Sequence, residues 1–250
     1  MKGKHLEPGG FCWADVAVSE PKVIHLFFSQ LFGWSRRVRP TDDAQAYSIM
    51  TSLGHHVMGI CHVEEAEQSQ WMSYLLVEDL AEATAKAQEL GATVVNEKIE
   101  ISTFGTMTIV QDPSGVLFAL WQSKQGEYSK PRLPGQVAWF ELMTDEPKLA
   151  QDFYSRLAHW TEQPQSDDES LTVFYHHGKP VSSLRKKESP EIPSAWVVYF
   201  LVDDCDETAA KCESLGGKVF RAKSDCPHLG RCALLQDPSG GIFGIIAAES

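Results

Sequence analysis

The residues with the most chemical content in this chain recur at a fixed spacing. Trp13 and Asp15 of "FCWADVAV" are matched by Trp139, Glu141 and Met143 of "QVAWFELM". Met72 and Tyr74 of "WMSYLLV" are matched by Val197 and Tyr199 of "WVVYFLV". Residues two apart on a strand share a face, so three rows set an indole or thioether beside a carboxylate or phenol and the fourth sets Val197 beside Tyr199, while Ala14 and Val16 point the other way. Leu117, Ala119 and Trp121 form a further row. Where such rows face one another they suit an organic molecule with an aromatic or cationic part. Rings stack or hold the cation, and the few polar groups orient it.

The other reactive side chains are dispersed. Of nine histidines, His55, His56, His176 and His177 fall at hairpin tips and read as solvated. His25 reads as a helix-boundary residue. His62 follows a strand, with Glu64 and Glu65 close in sequence. His228 in "CPHLGRC" is a loop residue and a candidate acid or base. The six cysteines (Cys12, Cys61, Cys205, Cys212, Cys226, Cys232) include no C-x-x-C pair, which argues against a zinc knuckle or a thioredoxin-like site. They read as buried or inert thiols; Cys226 and Cys232 are spaced to bridge a loop, but cytosolic thiols stay reduced. No Ser-His-Asp order, phosphate loop or nucleophile elbow occurs.

Composition narrows the class of partner. A net charge of -12 over 250 residues excludes the concentrated basic surface that a nucleic acid requires. The one basic run, Arg185 to Lys187, reads as a solvated loop. No apolar run reaches the about 18 residues of a membrane span, and "MKGKHLEPGG" passes into turn residues without a signal-peptide core. The expectation is a cytoplasmic protein with no membrane partner.

The elements that carry these rows are written twice. Residues 8–34 and 134–160 share ten of 27 positions, among them Pro8/Pro134, Trp13/Trp139, Pro21/Pro147, Phe27/Phe153 and Trp34/Trp160. Residues 71–121 and 196–246 share nineteen of 51. The halves carry 9 basic and 15 acidic, then 13 basic and 19 acidic side chains, so each stands at -6. Two domains are expected, 1–125 and 131–250, joined by the polar, Gly- and Pro-containing "SKQGEYSKPRLPG".

Each half reads as strand, helix and three strands, twice. Ser19 or Asp145 is placed to cap the first helix before Pro21 or Pro147, and Asp79 or Asp204 the second, which ends at Gly91 or Gly216. "DPSG" before the last strand fits a type I turn: Asp bonds back to the backbone, Pro presets the second position and Gly suits the fourth.

Two β-α-β-β-β units per half, helices ending "FFSQLFGW" and "FYSRLAHW", strands leading into "VEDL" and "VDDC", and closing "DPSGVLFALW" and "DPSGGIFGII" resemble the vicinal oxygen chelate superfamily. That group includes glyoxalase I, extradiol dioxygenases, fosfomycin-modifying enzymes and bleomycin-resistance proteins. The resemblance covers residues 8–247 and implies an α+β fold in which paired βαβββ modules curl into cup-shaped sheets, two such domains in tandem.

It also implies a metal site: a His on the first strand, a His or Gln on the fifth and a Glu on the eighth. Carried over, these positions fall on Trp13 and Trp139, Met72 and Val197, and Ala119 and Gly244. None is a donor for a hard or borderline cation. The expectation is therefore a protein without metal or other cofactor that binds a small organic molecule through Trp13, Asp15, Met72, Tyr74, Trp121, Trp139, Glu141 and Tyr199.

Two alternatives stand beside it. One is a lyase, isomerase or dioxygenase-type enzyme with a relocated metal, or with Asp15, Glu141, Tyr74 or Tyr199 as acid or base. The other is a structural protein whose cups are filled. Tandem duplication lets the chain act as a monomeric pseudo-dimer; a homodimer is the alternative.

Overall fold

The computed structural model describes residues 5–38, 47–64, 68–127, 133–165, 168–226 and 230–247. Glu65, His228 and part of the joining segment lie outside them. The first half runs β1 (Phe11–Val18), α1 (Pro21–Phe32), β2 (Ser35–Arg37), β3 (Tyr47–Ser52), β4 (His55–His62), β5 (Gln70–Leu76), α2 (Leu80–Glu89), β6 (Thr93–Ile101), β7 (Gly105–Gln111) and β8 (Leu117–Ser123). The second repeats it as β9 (Val137–Thr144), α3 (Pro147–Leu157), β10 (Thr161–Gln165), β11 (Asp168–His176), β12 (Lys179–Lys186), β13 (Ala195–Val202), α4 (Cys205–Ser214), β14 (Lys218–Cys226), β15 (Gly230–Gln236) and β16 (Ile242–Ala247). The βαβββ module is thus written four times, and the α+β class stands.

Hydrogen bonding orders the strands β2-β3-β4-β1-β5-β8-β7-β6 and β10-β11-β12-β9-β13-β16-β15-β14. Within a module the last three strands are antiparallel neighbours, and the last returns parallel to the first, as β4 does to β1 and β12 to β9. A helix and two strands intervene, enough chain for the crossover that a parallel pair needs.

The second helices begin and end as expected. Asp79 Oδ1 accepts from Glu82 N at 2.9 Å and Asp204 Oδ1 from Glu207 N at 2.9 Å, and Gly91 and Gly216 take φ of 96° and 88°. The first helices differ. Their N-caps are Glu20 and Glu146, neither with a side-chain cap bond, in place of Ser19 and Asp145. Proline forces an extended residue immediately before it, which shifts the cap position one residue along to a side chain poorly suited to the role.

Packing divides the chain differently from its repeat. One compact unit comprises Met1–Trp13, Met72–Ser129 and Phe140–Trp196; the second comprises Ala14–Trp71, Lys130–Trp139 and Val197–Ser250. Each unit therefore combines a module of the first half with a module of the second.

In the first unit the apolar faces of α2 and α3 close over an aromatic core. Phe118 meets Phe153 at 6.1 Å and Tyr154 at 5.3 Å, Tyr154 meets Trp196 edge-on at 5.0 Å, and Phe11 stacks on Phe140 at 4.9 Å. Trp160 Nε1 donates to the carbonyl of Gly9 at 2.6 Å. The Asp112 turn is tied into the same core. Gly115 N donates to Asp112 O at 2.9 Å, while Asp112 Oδ1 accepts from Ser114 N, Ser114 Oγ and Val116 N at 2.8, 2.7 and 2.9 Å. Its second oxygen, Oδ2, accepts from the Tyr154 hydroxyl at 2.9 Å, and that hydroxyl accepts from Trp196 Nε1 at 2.8 Å. One phenol on α3 thus satisfies two buried groups, one in the turn after β7 and one on β13.

The second unit repeats the plan with α1 and α4. Phe28 meets Phe243 at 5.3 Å, and Trp34 meets Phe200 at 5.0 Å. Trp34 Nε1 donates to Gly135 O at 2.9 Å. Gly135 has φ 77°, and a Cβ there would stand 2.9 Å from that indole nitrogen, so only glycine fits.

Tyr154→Phe strips the donor from Asp112 and the acceptor from Trp196 with little change of volume. We expect a loss of about 2 kcal/mol, read as a lower urea midpoint with an unchanged slope.

Candidate functional site

Four of the residues selected from sequence come together in the first unit. Tyr74 and Trp121, 8% and 7% exposed, form a cluster with Cys12, Leu76 and Ala119, and the half-buried Trp13, Met72, Phe104 and Met107 pack against it. The rings of Tyr74 and Trp121 meet edge-on at 6.2 Å. Register places them: Tyr74 pairs with Ala119 on β5 and β8, and Met107 with Trp121 on β7 and β8. Trp121 Nε1 donates to Glu127 at 3.0 Å, which fixes the indole plane. The result is a surface of indole, phenol and thioether that offers flat, polarizable contact. Phe104 and Met107 were not selected from sequence; Met107 was legible as the cross-strand partner of Trp121.

Glu141 lies in the same unit but is not a member of that cluster. It is buried, and its Oε2 accepts from Ser183 Oγ at 3.3 Å and faces Arg185 Nε at 3.6 Å. The register of β9 and β12 explains this: Ser183 pairs with Glu141 and Arg185 with Met143, two residues along on the same face. The basic run is accordingly no solvated loop. Arg185 ends in the interior on β12, and Lys187 reaches Asp145 at 2.7 Å with its side chain 8% exposed. Alternation within "SSLRK" carried that signal, since Ser183 and Arg185 share parity.

In the second unit Asp15 is buried on β1, opposite Gly59 of β4. A Cβ on Gly59 would fall 2.0 Å from the Tyr47 hydroxyl oxygen and 2.8 Å from Asp15 Cβ. The missing side chain is what lets a phenol reach the carboxylate side of the strand. Gly59 inside an apolar strand was the available clue. Tyr199 is buried on β13, and a Cβ on Gly244 would lie 2.1 Å from its ring. The phenol covers the position where the family carries its carboxylate. Trp139 is half-buried at the start of β9.

The histidines and cysteines divide by burial. His55, His56 and His177 are exposed, as expected. His176 is half-buried, because its ring lies over Gly9, where a Cβ would come within 2.6 Å; burial, then the neighbouring His177, lowers its pKa. His25 contacts Ser48 Oγ at 2.5 Å, and burial, with Arg36 second, lowers its pKa to about 4. Cys12, Cys61, Cys205 and Cys212 are free thiols, and burial raises Cys205 to about 11 and Cys212 to about 12, so these two are poor nucleophiles near neutrality. Cys232 departs from the expectation of reduced thiols: it is disulfide-bonded.

The donor chemistry does not fit the superfamily's metal. An indole N–H only donates, a single thioether is soft, and Ala119, Val197 and Gly244 offer no side-chain donor. Among the described residues no group of three or more His, Cys, Asp and Glu side chains is arranged to hold an ion.

Paired βαβββ modules carrying these rows on their strands define a protein of the glyoxalase and dioxygenase fold. A glyoxalase-like domain family matches residues 13–121 and again 139–246, and the chain belongs to that family. CFP32 of Mycobacterium tuberculosis (strain CDC 1551 / Oshkosh), whose name marks it as a candidate glyoxylase, is 30% identical over 94% of this chain and 93% of its own length. The anthracycline biosynthesis protein DauV of Streptomyces sp. (strain C5) is 28% identical over 96% of this chain and 93% of its own. Among solved structures, the Mn(II)-bound glyoxalase of Novosphingobium aromaticivorans superposes with a TM-score of 0.71 at 11% identity, covering 99% of this chain and 83% of that one. At that identity the likeness is one of fold.

Two substitutions probe these arrangements. Arg185→Ala leaves Glu141 buried without its cation and is expected to destabilise by about 3 kcal/mol in chemical denaturation. Gly244→Ala drives a methyl into the Tyr199 ring and is expected to cost about 2 kcal/mol, and much less when it is made in a Tyr199→Ala background, where the ring is already gone.

Proposed function

We propose that the protein binds a small organic molecule with a flat aromatic or cationic part, without a catalytic metal. The observation that carries this reading is the cluster of Trp13, Met72, Tyr74 and Trp121, in which two members are buried and two remain half-buried. Indole faces and thioethers hold planar apolar groups by dispersion and hold cations through the ring quadrupole, and neither contact needs an ion. The lost donors at the superfamily's ligand positions support the second part. The names of relatives agree in kind: one points to a glyoxylase and one to anthracycline biosynthesis, both concerned with small organic molecules. We place the protein in the cytoplasm, as a single chain whose two domains, 1–125 and 131–250, stand where two subunits would.

A specific observation favours a second reading for part of the molecule. Tyr199 occupies the side-chain space at Gly244, which is what a closed, structural cup requires. On this reading the Trp13 cluster carries ligand and the Tyr199 region carries packing.

Protein purified without chelator should contain no stoichiometric Mn, Fe, Ni or Zn by elemental analysis. In a thermal-shift screen, planar aromatic or cationic compounds should raise Tm, unaffected by chelator. Trp13→Ala should weaken the response about tenfold, the worth of roughly 1.4 kcal/mol of stacking. A tightly held metal, or a ligand response abolished by chelator, would overturn the reading.

A further inference from the structure

The two units treat the aspartate of the repeated "DPSG" turn differently. In both, one carboxylate oxygen is spent on the turn. Asp112 Oδ1 accepts from Ser114 and Val116 as described, and Asp237 Oδ1 accepts from Ser239 N at 2.8 Å, Gly241 N at 3.1 Å and Ser69 Oγ at 3.1 Å. The second oxygens diverge. Asp112 Oδ2 has the Tyr154 hydroxyl, which also accepts from Trp196. The residue that corresponds to Tyr154 in the first half of the chain is Phe28, and Trp71 corresponds to Trp196.

Phe28 has the same edge-on relation to Trp71, at 6.1 Å, that Tyr154 has to Trp196, but no hydroxyl. Asp237 Oδ2 and Trp71 Nε1 are accordingly both buried without a hydrogen-bond partner. Asp237 is 2% exposed, and its Oδ2 is packed so closely that a Cβ on Gly241 would lie 2.5 Å away. An ionised oxygen in that position has neither a donor nor solvent, and a buried carboxylate so placed is relieved by taking a proton.

Among the described residues no cation acts on Asp237 to hold the charge instead. The turn contributes backbone N–H groups of Ser239, Gly240 and Gly241, the segment before β5 contributes the Ser69 hydroxyl, and on α1 Phe28 holds the position that corresponds to Tyr154. From α4 comes the Cys212 thiol, which both Glu213 and Asp237 help to raise. Burial is the largest influence on Asp237 and outweighs all four hydrogen bonds, pushing its pKa up to about 6 from the ordinary 3.8.

We propose that Asp237 is a proton switch built into the second unit: with no hydroxyl supplied by α1, its buried Oδ2 takes up a proton in the folded protein, and losing that proton toward neutral pH loosens the β15–β16 turn it holds. The first unit lacks the device because Tyr154 serves Asp112. The direction follows from linkage. Because the folded-state value is raised, the stability this group contributes is full below about 3.8 and is lost as pH rises through about 6.

The test uses the intact chain. Carboxyl carbon shifts followed by NMR should show Asp237 titrating near 6 in the wild type and at lower pH in Phe28→Tyr, where the new hydroxyl reaches Oδ2. In thermal unfolding, the Tm of Phe28→Tyr minus that of the wild type should grow by about 3 °C as pH rises from about 4.5 to 7.5 across that titration. Asp237→Asn, which keeps the site neutral, should likewise gain on the wild type as pH rises, so the outcome does not depend on the tyrosine variant folding. Titration of wild-type Asp237 near its ordinary value, or Tm differences independent of pH in both variants, would overturn the proposal.

Discussion

A βαβββ module has one apolar helix face and one apolar sheet face, and nothing of its own with which to cover them. That constraint governs the rest of the molecule. Each module finds its cover in a module from the opposite half of the chain, so the compact units follow packing where the repeat follows gene-like order. The exchange is reciprocal at single residues. Trp34 from the first half donates to Gly135 of the second, and Trp160 from the second donates to Gly9 of the first. An indole N–H buried without an acceptor costs about 1–3 kcal/mol. These two bonds therefore tie the ends of the first helices to the segments that lead into β1 and β9. The repeated Pro-Gly and Trp, far apart in sequence, are two ends of the same contact.

With the aromatic cores fixed in this way, the strand rows that carry Trp13, Met72, Tyr74 and Trp121 are held in place. The superfamily spends three of these positions on a metal. Here the same positions hold indole, thioether and small residues, and neighbouring side chains have moved into the space that the small residues release. Tyr199 over Gly244 is the clearest case, and Tyr47 over Gly59 is a like close approach outside those positions. At Gly244 the change is one of packing as well as of donor chemistry, because the Tyr199 ring fills the space a side chain there would need.

Much of this was legible in the sequence because the governing signals are local or repeated. Strand alternation gave the shared face of Met72 and Tyr74, Asp before a helix and Gly after it gave the second helices, and duplication gave the two tandem domains. What was not legible depended on which strand lies beside which. Arg185 looked like part of a charged loop until the β9 and β12 register set it beside Glu141. His176 looked like a hairpin tip until Gly9 was placed beneath it. The interleaved units could not be read from the repeat at all, since a repeat reports similarity and is silent about which copies touch. The difference between Tyr154 and Phe28 is one oxygen atom, and its meaning appears only when Asp112 Oδ2 is seen with a hydroxyl partner and Asp237 Oδ2 without one.

The claim on which the account rests is that each compact unit needs modules from both halves. It is tested most directly by splitting the chain in the joining segment and producing residues 1–125 and 131–250 as separate polypeptides, followed by sedimentation and unfolding of each alone and of the mixture. The account predicts that the mixed halves assemble one to one and unfold cooperatively near the intact protein. Either half alone should be poorly folded or should self-associate, to bury the faces that its partner would cover. Two halves that are each monomeric, cooperatively folded and indifferent to mixing would contradict it.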